Sequence, residues 1–441
     1  KTYERAVELL DKAKYGGAQQ MFEKLIAMIP ERENEMRVDA EFYSAYCALK
    51  LFNRDAQTRL KDFVHKHPES NLRQKANFAL GNYAYRKKKY QEVIDWFSDV
   101  DVQDLSAKEQ LEYKFKIGYS YLRLGDSEKA LGYFYEIRNR RSDYYVASNY
   151  YFGHLSYLQG NYASALESFQ RIDGERGFKD LIPYYLTQIY FLQKQYQALV
   201  DYTTPMLETV NAEKQPEVIR LLGEAHFKLG NFDKAIFYVE QYVNTAISIS
   251  AEDAYLVGFS YYKEKEYAKA IDYLKQAISE GGPIAQKAYY YLAQSYLGQD
   301  KKSYASNSFR KASKMHYDKR LREDALFSYA KLAYELSFNP YHEAIEAFNE
   351  YLTKYPDSDR IDEAREFLLS VYLTTRSYDK ALAALENMRM KDFRTKGIYQ
   401  TIAYNQGVEK FLSNNFDEAY ESFVKSLKFP IEDRLVADAK Y

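Results

Sequence analysis

The segment "HKHP" places His65 and His67 two residues apart, and of all the residue types in the chain these come nearest to a metal pair. Metal binding needs imidazoles that converge, together with a third ligand. On a helix end, residues two apart point away from each other, and no third ligand stands nearby in sequence. The expected reading is a solvated helix terminus. Cys47 is the single cysteine, so no internal disulfide can form, and it reads as a small buried hydrophobe. No Ser–His–Asp or Cys–His–Asn arrangement can be assembled from the spacing. Gly281-Gly282-Pro283 has no Lys-Ser or Lys-Thr after it, so it reads as a turn and not a phosphate loop. His226 stands where sister segments hold Tyr121 and Tyr261, which gives it a packing role. Carboxylates are spread over exposed helix faces. No enzymatic activity, metal or cofactor is expected.

Across 441 residues, 62 basic and 63 acidic side chains nearly cancel, which removes the electrostatic case for nucleic acid. The clusters "YRKKKY" (85–90) and "RNRR" (138–141) read as solvated turns or helix ends. With 47 Tyr and 26 Phe against 9 Pro and 18 Gly, the chain favours long uninterrupted helices. No apolar run is long enough to span a membrane. The sequence begins at Lys1 without Met and reads as a processed or trimmed product, which leaves room upstream for a signal peptide or lipid anchor. A single cysteine leaves the redox compartment open.

The elements that would position any site come from a repeat. Ala18, Ala56, Val93, Ala130, Ala165, Leu199, Ala235, Ala270, Ala305, Ala344, Ala381 and Ala419 recur every 34 to 39 residues. Four residues after each anchor stands a large side chain, usually Phe, on the same helical face. Three before it is usually an aromatic such as Tyr162, Phe232 or Tyr341. Twelve before it is a small residue: Ser44, Gly81, Gly118, Gly153, Thr187, Gly223, Gly258, Ala293 or Gly407. Each unit therefore reads as two helices, the small residue on the first and the Ala and Phe on the second. One such pair cannot bury its apolar face alone; stacked pairs can.

The pattern small-x-x-Tyr-x-x-x-Gly-x-Tyr-x-x-Ala-x-x-x-Phe, seen at Gly153, Ser156, Gly160, Tyr162, Ala165 and Phe169, closely resembles the tetratricopeptide repeat. The closing proline of that repeat stands at Pro30, Pro68 and Pro356. The resemblance implies an all-α fold, a right-handed alpha-alpha superhelix (TPR solenoid) of about twelve helix-pair repeats. It implies one continuous solenoid over 1–441. The approximate units are 1–36, 37–73, 74–110, 111–145, 146–179, 180–215, 216–250, 251–285, 286–322, 323–361, 362–399 and 400–432, with 433–441 starting a further one. Units two, six and ten depart from the pattern. The sixth has Thr203 at the Phe position, and the tenth, with "YELSFNPYHEA", is longer before its Ala. The closing "IEDRLVADAKY" reads as the first helix of a thirteenth unit, with Leu435 and Val436 partly uncovered. The expectation is that the polypeptide continues or that something covers this end.

In that family the first helices line a concave groove. The corresponding positions here hold Phe78, Asn82, Tyr85, Phe115, Tyr119, Tyr150, His154, Tyr157, Tyr184, Phe191, Phe227, Tyr255, Phe259, Tyr262 and Tyr290. The resemblance implies that these residues bind a protein or peptide partner, and the alternative is that their rings only pack between helices. The family's two-carboxylate clamp does not fit, because Phe78 stands where Lys is needed. The linkers "HKHPESN" and "KYPDSDR" resemble those of bacterial outer-membrane assembly lipoproteins and periplasmic tetratricopeptide proteins, and in them Ser is expected to cap the next helix. The expected function is a protein-interaction scaffold in a bacterial cell-envelope complex, periplasmic or outer-membrane-associated, with a cytoplasmic setting as the alternative. The other readings are a glycan-binding module using the aromatic groove and an accessory region of a larger enzyme.

Overall fold

In the computed structural model, residues 1–244, 249–336, 342–387 and 393–441 are described. Tyr341 and most of the longer turn expected in unit ten lie outside them. Two compact units are present, Lys1–Val218 and Ile219–Tyr441. Each is all-α and built from stacked helix pairs. The described residues hold twenty-five α-helices and two short 3-10 turns, and no strand. Twenty-four of the helices form twelve consecutive pairs, and the last, Asp433–Lys440, follows alone.

The repeat's anchors explain the pairing. All twelve anchor residues are at most 2% exposed. A small side chain there lets the second helix lie close against the first. The residue four further on then fills the space left by the small residue of the first helix. A Cβ added to Gly153 would stand 2.9 Å from the Phe169 ring, one at Gly223 would stand 2.5 Å from Val239, and one at Gly258 would stand 2.8 Å from Leu274. Each such ring or aliphatic side chain, fully buried, contributes about 2–3 kcal/mol.

Pair six keeps this contact with different chemistry. Thr187 takes the small position and Thr203 the Phe position, and both are fully buried. Their hydroxyl oxygens lie 2.9 Å apart, and Thr187 Oγ1 is also hydrogen-bonded to the Pro183 carbonyl at 2.8 Å. A larger residue on one helix is matched by a smaller one on the other. This departure from the repeat is therefore a compensated pair and not a weak point.

Within each unit, rings stack between successive pairs. Phe134 of pair four lies under Tyr151 of pair five, with centroids 5.4 Å apart. Phe169 lies under Tyr185 of pair six at 5.0 Å, and Phe348 under Phe367 at 5.6 Å. In each case the ring that fills one pair is roofed by the next, which adds about 1 kcal/mol beyond its buried area.

In most of the described pairs the turn has one geometry whatever its residue; in pair two the left-handed residue is Phe52, four before the anchor. Gly125, Gly160 and Gly230 have φ of +89°, +76° and +80°. Lys88, Lys194, Lys265, Asp300, Arg376 and Asn414 occupy the same place, five before the anchor, with φ between +52° and +62°. Between pairs, Ser70 does not cap the next helix as expected. Its Oγ accepts from Leu72 N at 3.2 Å, one step before the helix starts at Arg73. Ser358 likewise accepts from Arg360 N and lies 2.7 Å from the Tyr351 hydroxyl. In the last helix Leu435 and Val436 are half-buried.

Candidate functional site

In the first unit the candidate residues sit on the first helices of pairs three to six: Arg73–Arg86, Ala107–Leu124, Tyr145–Leu158 and Ile182–Leu192. Two of them are core. Phe78 stacks on Phe97 at 5.6 Å and Phe115 on Tyr144 at 4.7 Å, and each is only 8% exposed. These two rings pack between helices and leave little face for a ligand. Asn82, Tyr85, Tyr119, Tyr150, His154, Tyr157, Tyr184 and Phe191 are half-buried, each presenting part of its side chain.

These rings form a connected row. Tyr85 meets Tyr119 at 5.8 Å, and Tyr119 meets Tyr151 at 5.3 Å. Tyr151 meets Tyr150 at 5.3 Å, Tyr150 meets Tyr185 at 6.5 Å, and Tyr185 meets Tyr157 at 5.5 Å and Tyr184 at 5.5 Å. Tyr151 and Tyr185 are not groove positions in the sequence reading, yet they bridge one pair to the next. The available signal was an aromatic two residues before the small position, which helical geometry turns toward the preceding pair.

A polar network closes the row at pair six. Tyr157 Oη donates to Gln188 Oε1 at 2.7 Å. Gln188 Nε2 donates to Tyr184 Oη at 2.7 Å and to Glu217 Oε1 at 2.9 Å, and Tyr184 Oη donates to Glu217 Oε2 at 3.1 Å. Burial, then the Glu217 carboxylate, pushes the Tyr184 hydroxyl up to about 12. Burial likewise pushes Tyr150 and Tyr151 up to about 12, so all three remain protonated donors at neutral pH. His154 stacks parallel to Tyr150, its Nδ1 lies 3.2 Å from Tyr185 Oη, and burial holds its pKa below the ordinary value. At neutral pH it is an uncharged member of the row.

The second unit repeats the arrangement within itself. Phe227 meets Phe259 edge-on at 5.6 Å. Tyr291, again two before a small position, contacts Phe259 at 4.5 Å, Tyr262 at 5.2 Å and Tyr255 at 6.4 Å. Tyr290 donates to Asp324 and packs edge-on against Phe309. Phe227, Tyr255, Phe259, Tyr262 and Tyr290 are all half-buried. The Lys263 ammonium lies 5.6 Å from the Phe259 ring.

The residues first considered for chemistry fall elsewhere. No cluster of His, Cys, Asp and Glu able to hold a metal occurs among the described residues. His65 is exposed, but His67 is not a solvated terminus: its Nε2 lies 2.8 Å from Glu41 Oε2, and its ring packs on Phe63 at 5.2 Å. Cys47 is fully buried, and burial pushes its thiol up to about 11. His226 is buried and stacks on Tyr238 at 5.5 Å, as Tyr121 does on Tyr133 and Tyr261 on Tyr273. The "RNRR" cluster is also not simply solvated. Arg138 is buried, donates to Ser168 at 3.0 Å and Glu167 at 3.2 Å, and lies 4.5 Å from the Phe152 ring. Gly281 and Gly282 both have positive φ, and Pro283 opens the helix that follows, so this segment is a turn. Among the described residues no helix is long and apolar enough to cross a membrane.

The match to a repeat family model agrees with this architecture. The family model described as tetratricopeptide repeat matches residues 112–144 and 324–358, so the chain carries tetratricopeptide repeats. The model described as anaphase-promoting complex, cyclosome, subunit 3 matches residues 228–312. No curated protein matches the sequence. Among solved structures, the chain is similar to Naa15/Naa10 bound to HypK-THB, with 12% identity, 97% of this chain and 70% of that one covered, and a TM-score of 0.39. It is similar to a monomeric mutant of IFIT1 with Gppp-AAAA, with 17% identity, 89% and 90% covered, and a TM-score of 0.31. It is also similar to a tetratricopeptide repeat protein from Parabacteroides merdae, with 17% identity, 66% and 98% covered, and a TM-score of 0.26.

Proposed function

We propose that this chain is a protein-interaction scaffold whose half-buried aromatic row on the first helices captures an extended or helical segment of a partner. The observation that carries the reading is the fixing of the row. Tyr157 and Tyr184 are held by Gln188 and Glu217, and Tyr150 is flanked by Tyr151, His154 and Tyr185. Rings ordered before binding lose little rotamer freedom on contact, and each presents an apolar face with a polar tip. The chemistry required is recognition alone, with no covalent step. The linkers at 65–71 and 354–360 support placing the scaffold in a bacterial envelope complex, periplasmic or outer-membrane-associated; fractionation of cells producing the full-length protein tests that placement.

The test of the surface is partner capture by a variant with Tyr150, Tyr157, Tyr184 and Phe191 all changed to Ala and with helicity confirmed by circular dichroism. Capture falls at least about tenfold, since central aromatic contacts commonly carry 1–2 kcal/mol or more each. Undiminished capture by the folded variant counts against the surface. A second reading, glycan binding, is favoured by one feature: the Gln188 amide bridges the Tyr157 and Tyr184 hydroxyls, and the Glu217 carboxylate accepts from both Gln188 and Tyr184. Glycan-array binding that is lost in Gln188→Ala, without any protein partner, selects that reading.

A further inference from the structure

The turns inside the pairs of the first unit carry an unusual set of side chains. Leu51, Phe52, Leu124, Leu158 and Leu192 are all exposed, and each stands at or just past the end of a first helix. They belong to pairs two, four, five and six, and the turn of pair three carries Arg86, Lys87, Lys88 and Lys89 instead. Across the turn segments 50–55, 86–89, 123–126, 158–161 and 192–195 stand eight lysines and arginines against two carboxylates, Asp55 and Asp126. Both carboxylates are engaged by the helices that follow, Asp55 by Arg59 at 2.6 Å and Asp126 by Lys129 at 3.0 Å. Glu92 and Glu128 open the second helices beside this edge, and Glu92 pairs with Lys89 at 2.7 Å. The turns of pairs seven to nine differ. Segments 228–231, 263–266 and 299–302 hold five cations against three carboxylates and no exposed large apolar side chain.

Neighbouring turns of the first unit touch. The Arg86 guanidinium lies 5.4 Å from the Phe52 ring of pair two and 5.8 Å from the Tyr83 ring of its own pair. Arg123 of pair four lies 5.5 Å from the Tyr90 ring of pair three. Tyr157, next to Leu158, donates to Gln188, one turn before Leu192. Phe52 stands out among these residues. It is 77% exposed, and its φ of +60° is a backbone conformation that disfavours a bulky side chain.

We propose that this edge of the first unit rests on the surface of an anionic lipid bilayer, with Phe52 and the neighbouring leucines entering the headgroup layer and Arg86, Lys87 and Lys88 set against lipid phosphates. The combination of side chains selects the occupant. Apolar groups at exposed turns gain by leaving water only where a partner closes around each of them, and a fluid lipid interface does so without a preformed pocket. The cations beside them are drawn to the negative potential of an anionic leaflet. A nucleic-acid backbone satisfies the cations but leaves the leucines in water. The proposal does not depend on the aromatic row.

The experiment is co-flotation of the full chain with vesicles of phosphatidylcholine and phosphatidylglycerol in equal parts. The expected result is binding that weakens as salt rises and is absent from pure phosphatidylcholine vesicles. Phe52→Asn suits the left-handed backbone, as Asn414 does in pair twelve, and lowers affinity for the anionic vesicles about tenfold. Lys87→Glu with Lys88→Glu, both at exposed positions, lowers it at least about tenfold. Met28→Ser removes an exposed apolar side chain from the end of a second helix and leaves binding intact. Circular dichroism of each variant separates loss of binding from loss of fold. Equal binding to both vesicles, binding to neither, undiminished binding by folded Phe52→Asn, or an equal loss in Met28→Ser overturns the proposal. So does displacement of the protein from anionic vesicles by polyglutamate or octauridylate at matched charge. Partner capture by Phe52→Asn is unchanged, so failure of this edge and failure of the aromatic row are read separately.

Discussion

Pair six shows how much one pair of side chains decides. Where the repeat writes a small residue and a Phe, this pair writes Thr187 and Thr203, joined by their hydroxyls in a fully buried contact. Restoring the repeat at one position only should therefore do harm. Thr203→Phe places a ring where Thr187 already fills the space, an overpacking loss of about 2 kcal/mol, while the Thr187 hydroxyl keeps its bond to the Pro183 carbonyl. The double variant Thr187→Gly, Thr203→Phe rebuilds the contact seen at Gly153 and Phe169 and recovers most of that loss. Urea unfolding of the three proteins checks this, and a stabilised Thr203→Phe contradicts the account. The sequence alone showed Thr203 as a departure, but the compensation spans sixteen residues and two helices and was visible only once both side chains met. Arg138 carries the same lesson: a cluster of arginines reads as solvated until Ser168, Glu167 and the Phe152 ring are seen around one of them.

At the scale of the helix pair, the turn is fixed by geometry before residue type. Lys265 N bonds the Tyr262 carbonyl at 3.1 Å and Glu266 N bonds the Tyr261 carbonyl at 2.9 Å. Gly160 and Asn161 make the same two bonds to Tyr157 and Ser156. The left-handed residue in these turns favours glycine by about 1 kcal/mol. Lys265→Gly, at an exposed turn, should raise stability by about 1 kcal/mol, and Gly160→Lys should lower it by about the same. Midpoints of denaturant unfolding measure both, and a neutral or destabilising Lys265→Gly argues against the shared turn. This level was the most legible in sequence. Anchor, small residue and turn recur at fixed spacing, so the helices and their pairing followed from the pattern. The stacking that joins one pair to the next was not legible, because its rings stand two before the small position, beside others that play different parts.

Over the whole molecule, the aromatic face divides into rings that hold the fold and rings that remain partly open, and spacing did not separate them. Phe78 and Phe115 occupy the same helical position as Tyr150 and Tyr184, yet the first two are core because Phe97 and Tyr144 stack on them. Tyr150, Tyr157, Tyr184 and Phe191 in the first unit, and Phe259 and Tyr262 in the second, keep part of each ring exposed. The account holds that these open rings are where a partner lies, and that the second-helix surface, with exposed Tyr135 and Tyr304, is not. The most direct measurement is photo-crosslinking of the protein carrying a benzophenone side chain at one position at a time, in the presence of its partners. Crosslinks should form from positions 157, 191 and 262 and be absent or at least about tenfold weaker from 135 and 304. Crosslinks of equal strength from both faces, or from 135 and 304 alone, contradict the account.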